Sequence, residues 1–378
     1  METVLRSASK ELTIGPEQPF CIVGERINPT GRKIFQEQLR RGDLSRIEID
    51  VAQQVAGGAM MLDVNMGAPL ADEAELMVAA VKLIQGLCDL PLCLDSSIVE
   101  VLEAGLAAYE GKALVNSVTA EDERLDAILP LVRRHGAAVI ALPNDEEEIP
   151  DEPARRLELA RKIVDVATGR YGIPVEDIVF DPLAMPVGAD TSLVLATLET
   201  ISLLRDEFGV NTTLGASNVS FGMPDRHAIG AAFLPMAVTH GLTSAIMDAR
   251  SPAAVTAVKA ADLLLGRDDW GAAWIGFYRA RQALWRANAS TCGSTTGRCG
   301  CREGSPCSTP RAGTGSRSTP PAAGTGPARN AGSGSGPTPR CRPASTSGPT
   351  PLTRSAMAGG WPAGPRPGRT LTLRCRRW

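Results

Sequence analysis

The chain has 378 residues and a formal net charge of −3, but that figure is a cancellation of two unlike segments. Residues 1–286 hold 26 Lys and Arg against 41 Asp and Glu, whereas residues 287–378 hold 13 Arg against one acid, Glu303. No apolar run is long enough for a membrane span, the N-terminal METVLRSASKELTIG lacks the apolar core of a secretory leader, and Cys21, Cys88 and Cys93 sit in or beside apolar runs like small core residues. These features argue against a membrane protein and a disulfide-stapled secreted domain; a cytoplasmic protein in a reducing compartment is expected.

In chain order, short apolar runs occupy residues 20–28 (FCIVGERIN), 59–65, 92–97, 113–118, 137–144, 178–183, 212–218 (TTLGASN) and 244–249. They do not alternate apolar with polar, so they suit strands buried on both faces. Between them lie segments of helical period, among them DLSRIEIDVAQQVAGG, ADEAELMVAAVKLIQGL, EDERLDAILPLVRRHG and DEPARRLELARKIVDVATGRYG. Several open on acids and close on glycine, at Gly57–Gly58, Gly136 and Gly172, as helix dipoles and caps favour. Eight strand–helix units in about 265 residues predict a (β/α)8 TIM barrel. A doubly wound sheet would show the same alternation, but no GxGxxG turn follows the first run. WGAAWIGFYRARQALWR (270–286) predicts a closing helix with its aromatic rings in packing roles, and the acidic run at 145–148 reads as a solvated loop.

The barrel is expected to end near residue 286. Residues 287–378 are rich in Gly, Pro, Ser, Thr and Arg and contain no Ile, Val or Phe. Such a segment cannot bury enough apolar surface to offset roughly 1–2 kcal/mol of backbone entropy per residue, so a disordered tail is predicted. Its all-arginine basicity also fits a GC-rich coding sequence read out of frame. The six cysteines there (292, 299, 301, 307, 341 and 375) match no zinc-site spacing, and no nucleic-acid role is assigned to the tail.

Each predicted strand ends in polar residues: Glu25/Arg26/Asn28, Asp63/Asn65, Asp95/Ser96, Asn116/Ser117, Asn144, Asp181, Ser217/Asn218 and Asp248. One such residue is ordinarily a cap for the following helix, but a barrel brings all eight ends to one mouth. His135, His227 and His240 fall outside these ends, and no HExxH, CxxC, phosphate-cradling loop or nucleophile elbow is present, so no protein-bound metal and no acyl transfer are expected. A ring of carboxylates and amides suits a flat, nitrogen-rich heterocycle with amino and amide edges, such as a 2-amino-pyrimidinone.

The motifs GERIN (24–28), LDVNMG (62–67), CLDSS (93–97), VNS (115–117), FDPL (180–183) and ASNVSFG (216–222) stand in this order at those ends. Together, over about residues 20–265, the chain resembles the pterin-binding methyltransferases: methyltetrahydrofolate:corrinoid methyltransferases and the folate module of cobalamin-dependent methionine synthase. The resemblance implies a (β/α)8 barrel, often a homodimer, with Asp95, Asn116 and Asp181 hydrogen-bonding the pterin. It puts Asn218 close to the nitrogen that bears the methyl group, Arg226 against the folate, and Glu25 and Asn28 in the lining of the same mouth. Asp63 and Ser217 complete the candidate binding set. Phe221 departs from the acetogen-type members, which carry a polar residue there, and matches the methionine-synthase modules.

The resemblance also implies the chemistry. Methyltetrahydrofolate is the substrate, the acceptor is the cobalt of a corrinoid (cobalamin), and Asn218 offers an amide N–H to the departing nitrogen. No DxHxxG corrinoid signature is present, so the corrinoid is expected on a partner protein. A dihydropteroate synthase-like enzyme and a non-catalytic folate-binding barrel are the alternatives.

Overall fold

The computed structural model describes residues 1–146 and 149–293. Glu147 and Glu148 of the acidic run, and the predicted tail from residue 294 onward, lie outside the described residues.

The chain opens with an antiparallel hairpin, β1 (Thr3–Arg6) and β2 (Glu11–Ile14). There follow β3 (Cys21–Ile27), α1 (Lys33–Arg40), α2 (Ser45–Gly57), β4 (Met61–Asn65), α3 (Glu73–Leu87), β5 (Leu92–Asp95), α4 (Val99–Ala108), β6 (Leu114–Thr119), α5 (Asp122–His135) and β7 (Ala138–Leu142). The second half runs α6 (Pro153–Asp165), β8 (Ile178–Phe180), α7 (Leu193–Phe208), α8 (Arg226–His240), β9 (Ser244–Met247), α9 (Pro252–Leu264) and α10 (Ala272–Gly293). Seven strands form one parallel sheet in the order β8-β7-β6-β5-β4-β3-β9.

The predicted strand at 212–218 closes the barrel without becoming a regular strand. It makes isolated bridges, Phe180↔Thr212 and Gly215↔Ile246. Thr213 N donates to Phe180 O at 2.9 Å and Ile246 N to Leu214 O at 2.8 Å, so the segment joins β8 to β9. The ladder is broken because hydroxyls compete for it: Thr243 Oγ1 and Ser244 Oγ both donate to Thr212 O at 3.0 Å, and Thr212 N donates to Thr243 Oγ1.

Other boundaries follow local chemistry. Gly58 and Gly136 take left-handed conformations and end α2 and α5, as predicted. The helix predicted through residue 172 stops earlier: α6 ends at Asp165 and a π turn, Val166–Arg170, carries the chain to Gly172. Helix α10 forms where the closing helix was predicted and runs past residue 286. Its Trp274 and Phe277 rings lie 6.3 Å apart, in packing roles. Among the described residues no helix is long and apolar enough to cross a membrane.

Two apolar clusters bracket the strands. The outer one packs Ile22, Leu62, Leu94, Val115, Val139 and Phe180 against the helices. The inner one fills the barrel with Cys21, Val23, Met61, Cys93, Leu114, Ile140 and Val179. The hairpin completes this inner cluster with Leu5, Leu12 and Ile14, which are nearly fully buried, each contributing about 1.5–3 kcal/mol on burial. The interior is therefore apolar below, and the polar layer sits at the C-terminal strand ends.

Candidate functional site

Strand period places the first group of polar side chains. Asp63 and Asn65 lie two residues apart on β4, so both face the barrel axis with Asp95 of β5 and Asn116 of β6. The ladder sets Asn65 opposite Asp95 and Asp95 opposite Asn116. Asn65 Nδ2 donates to Asp95 Oδ2 at 2.9 Å, and Asn116 Nδ2 donates to Asp63 Oδ1 at 3.4 Å. Asp63 is 2% exposed. Burial pushes its pKa well above the usual carboxylate range and the Asp95 charge pushes it the same way, while bonds from Cys93 and Asn116 oppose them. Its neutral, protonated form is favoured and can donate as well as accept. Below it, burial drives the Cys21 thiol up to about 12 and raises Cys93 as well, so both are packing groups rather than nucleophiles.

A second group comes from the opposite side. Ser217 Oγ donates to Glu25 Oε2 at 2.9 Å, joining residues 192 positions apart. Burial raises the Glu25 pKa, the Ser217 bond opposes that, and Asp248 adds to it. Arg226 Nη2 donates to Ser217 O at 2.6 Å, Nε reaches Ser220 Oγ at 3.4 Å, and the guanidinium lies 5.5 Å from the Phe221 ring centroid. Arg226 thus braces the turn that carries Asn218.

That turn fixes the place of Asn218 at the end of the segment. Asn218 N donates to Gly215 O and Phe221 N to Asn218 O, both at 3.0 Å. The Asn218 side chain folds over Gly215: a Cβ there would meet Asn218 Nδ2 at 2.9 Å. Asn218 is exposed at the mouth, and its amide has no hydrogen-bond partner among the described residues.

Asp181 stands at the end of β8, where Leu183 N donates to Oδ1 at 2.8 Å. Burial pushes its pKa up to about 6, against the Leu183 bond and the Arg156 charge. Arg156 was absent from the sequence-derived candidates. It is fully buried and donates to Pro150 O (2.7 Å), Pro182 O (2.7 Å) and Leu183 O (3.2 Å), holding the loop that shapes Asp181. The signal was available: Arg156 shares the apolar face of α6 with Leu159, Ala160 and Ile163. Asn65 stands among the polar strand ends read from the sequence but not in the candidate binding set, although it lies two residues from Asp63.

Two members of the predicted ring are engaged in other bonds. Asp248 is committed to Arg250, which donates to it from Nε at 2.9 Å and Nη2 at 2.8 Å. Asn144 contributes its backbone carbonyl, to Ala120 N at 2.9 Å. Asn28 is half-buried and accepts from Thr30 N at 2.9 Å, shaping the loop after β3. Among the described residues no group of three or more His, Cys, Asp and Glu is arranged to hold a metal ion.

Comparison with known proteins places this geometry in a family. The model of the pterin binding enzymes matches residues 24–248, which contain every candidate residue above. A methionine synthase of Mycobacterium tuberculosis is 34% identical over 261 residues, covering 66% of this chain and 22% of that protein. A methionine synthase of Mycobacterium leprae is 32% identical over 241 residues, covering 60% of this chain and 20% of that protein. The matched part of the chain thus spans about a fifth of the length of these relatives. Among solved structures, a dihydropteroate synthase from Xanthomonas albilineans in complex with 7,8-dihydropteroate superposes with a TM-score of 0.55 at 20% identity, covering 69% of this chain and 98% of that one. A Yersinia pestis dihydropteroate synthase gives 0.53 at 16% identity, covering 70% of this chain and 100% of that one. At such identities these likenesses speak for the barrel fold alone.

Proposed function

The chain belongs to the pterin binding enzyme family, and we propose that its barrel binds methyltetrahydrofolate by the pterin head and releases the N5-methyl group to a corrinoid carried by a partner protein. The observation that carries this reading is the free Asn218 amide, held over Gly215 and across the mouth from the Asp63–Asn116 and Asn65–Asp95 pairs. The likeness to methionine synthases supports methyl transfer over pterin condensation.

The chemistry follows from the donor set. Asp95 and Asp181 accept the N–H groups of the amino-pyrimidinone edge. Asn116 and the protonated Asp63 answer its carbonyl and ring nitrogens. Arg226 holds the folate and the Asn218 turn together. A tertiary amine is a poor leaving group, and it departs readily only when its nitrogen gains a proton or a hydrogen bond as the C–N bond breaks. Asn218 donates its Nδ2–H to N5, where the electron pair of that bond collects, and water delivers the proton.

The corrinoid supplies a strong cobalt nucleophile to which the methyl group passes. The residues at this mouth suit a pterin rather than a resident corrinoid: they are Asp, Glu, Asn, Ser and Arg, while Nδ1 of His227 and of His240 pairs with Ser251 and Ser202. Delivery by a partner is therefore part of the proposal, as are a homodimeric state and a cytoplasmic location.

The test is binding of methyltetrahydrofolate by calorimetry, then its demethylation with chemically reduced cobalamin as the acceptor. The wild type should bind and turn over. Asn218→Ala should bind within tenfold and lose about 10²–10³ in turnover, the usual cost of one preorganised donor. Binding without demethylation would instead make this a passive folate-binding barrel. Formation of dihydropteroate from p-aminobenzoate and dihydropterin diphosphate would make it a synthase.

A further inference from the structure

A cluster of guanidiniums on the rim has no role in the chemistry above. Arg26 is the last residue but one of β3, Arg32 lies in the loop after it, Arg46 is on α2, and Arg250 follows β9, the strand hydrogen-bonded to β3. Two carboxylates are shared among them. Buried Asp50 takes Arg32 at 2.8 Å and Arg46 at 3.3 Å, and Asp248 takes Arg250 at 2.8 Å. Arg250 is further held by Gln53 Oε1 at 3.2 Å, and Arg32 donates to the carbonyl of Arg26.

Arg26 is left over. Its backbone is pinned, with N donating to Gln54 Oε1 at 2.9 Å. Its guanidinium makes no hydrogen bond or ion pair among the described residues, and its Nε is buried without a partner. Burial is the largest influence against its protonated form, and the Arg32 and Arg250 charges add to it; the Asp248 and Asp50 carboxylates oppose them without reversing the downward shift. A half-buried cation beside two others is unfavourable as it stands, since the nearby carboxylates offset its desolvation only in part and none of them bonds to it. The rest of residues 1–286 carries an excess of acids, so this is a local positive island on an acidic domain. An arginine fork matches a carboxylate geometrically and, with Nε inside the protein, an anion on the outer nitrogens would supply the missing charge.

We infer that Arg26, flanked by Arg32 and Arg250, is a carboxylate site on the barrel rim that takes the glutamyl tail of the ligand whose head occupies the mouth. The inference rests on the folate reading of that mouth. The pterin head is uncharged at its amide edge, whereas the tail carries carboxylates and leaves the mouth across the rim. A free inorganic anion offers related chemistry and is separated by experiment.

The experiment measures dissociation constants for four probes: 6-methyltetrahydropterin, which lacks the tail, methyltetrahydrofolate with one and with three glutamates, and inorganic pyrophosphate. Proteins are wild type, Arg26→Gln and Arg26→Lys. Wild type should bind the triglutamate at least tenfold more tightly than the tail-less pterin. Arg26→Gln should erase about tenfold of that gain, leave tail-less affinity within twofold, and keep or raise the melting temperature, because an unpaired charge is removed. Arg26→Lys should fall between. Equal weakening of headed and tail-less probes would overturn the assignment, as would no change in either. Arg26-dependent pyrophosphate binding with no glutamyl dependence would overturn it in favour of an inorganic anion. Failure of the tail-less pterin to bind wild type would instead sink the pterin reading itself.

Discussion

Gly215→Ala separates the placement of the Asn218 amide from its presence. A Cβ at residue 215 would lie 2.9 Å from Asn218 Nδ2, 3.3 Å from Cγ and 3.5 Å from Oδ1, where ordinary contact begins at 3.4 Å. The amide must therefore retreat by roughly 0.5 Å, the shortfall at Nδ2 against normal van der Waals distance. Gly215 is not among the positive-φ residues, so its backbone accepts alanine. Asn218 is exposed and can swing toward solvent, so the folding cost should stay within about 0.5 kcal/mol. A misplacement of about 1 Å can cost ~10²-fold in rate, and half of that predicts a loss on the order of tenfold, or about 1.4 kcal/mol of barrier. The assay is single-turnover demethylation of methyltetrahydrofolate with reduced cobalamin, beside a thermal melt. In an Asn218→Ala background the same glycine substitution should do nothing more, since the displaced group is gone. Wild-type turnover in Gly215→Ala, or a further loss in the double variant, would refute the reasoning.

Three further outcomes follow from buried groups. Burial raises Asp181 from 3.8 to about 6, so its contribution to stability is full below pH 4 and is lost as pH rises through 6. Asp181→Asn should match wild type in urea denaturation at pH 4 and exceed it at pH 7.5, by up to about 3 kcal/mol; an equal difference at both values would defeat the linkage. Arg156→Met strands three buried carbonyls and should cost about 3–5 kcal/mol in the same denaturation, while raising the Asp181 pKa further; a loss below about 1 kcal/mol would mean the loop does not depend on it. Leu5→Ala opens a cavity under the barrel and should cost about 2–5 kcal/mol, measurable by calorimetry; a surface-like effect would show that the hairpin is not part of the core.

The barrel was legible because its signals are local. Unbroken apolar runs such as AAVIAL, short and set between helical segments, suit strands covered on both faces, and glycines such as Gly58 and Gly136 mark helix ends by their backbone freedom. The polar strand ends were legible for the same reason: strand and loop meet within one or two residues. The N-terminal hairpin was not. TVLR and ELTI are too short to stand out, and only the open base of the barrel explains why Leu5, Leu12 and Ile14 are buried there.

The sequence marked Asp63, Asn65, Asp95 and Asn116 as strand-end polar groups, and strand period in the fold puts them on one face. It did not settle their partners. Ser217 and Glu25 meet across 192 residues, Asn116 and Asp63 across 53, and Asp248 is taken out of the ring by Arg250. Those choices, with the burial that raises the Asp63 pKa and leaves Arg26 without a hydrogen-bond partner, arise from how the closed sheet brings distant ends together. Desolvation depends on every surrounding atom, so only the tertiary structure could decide it.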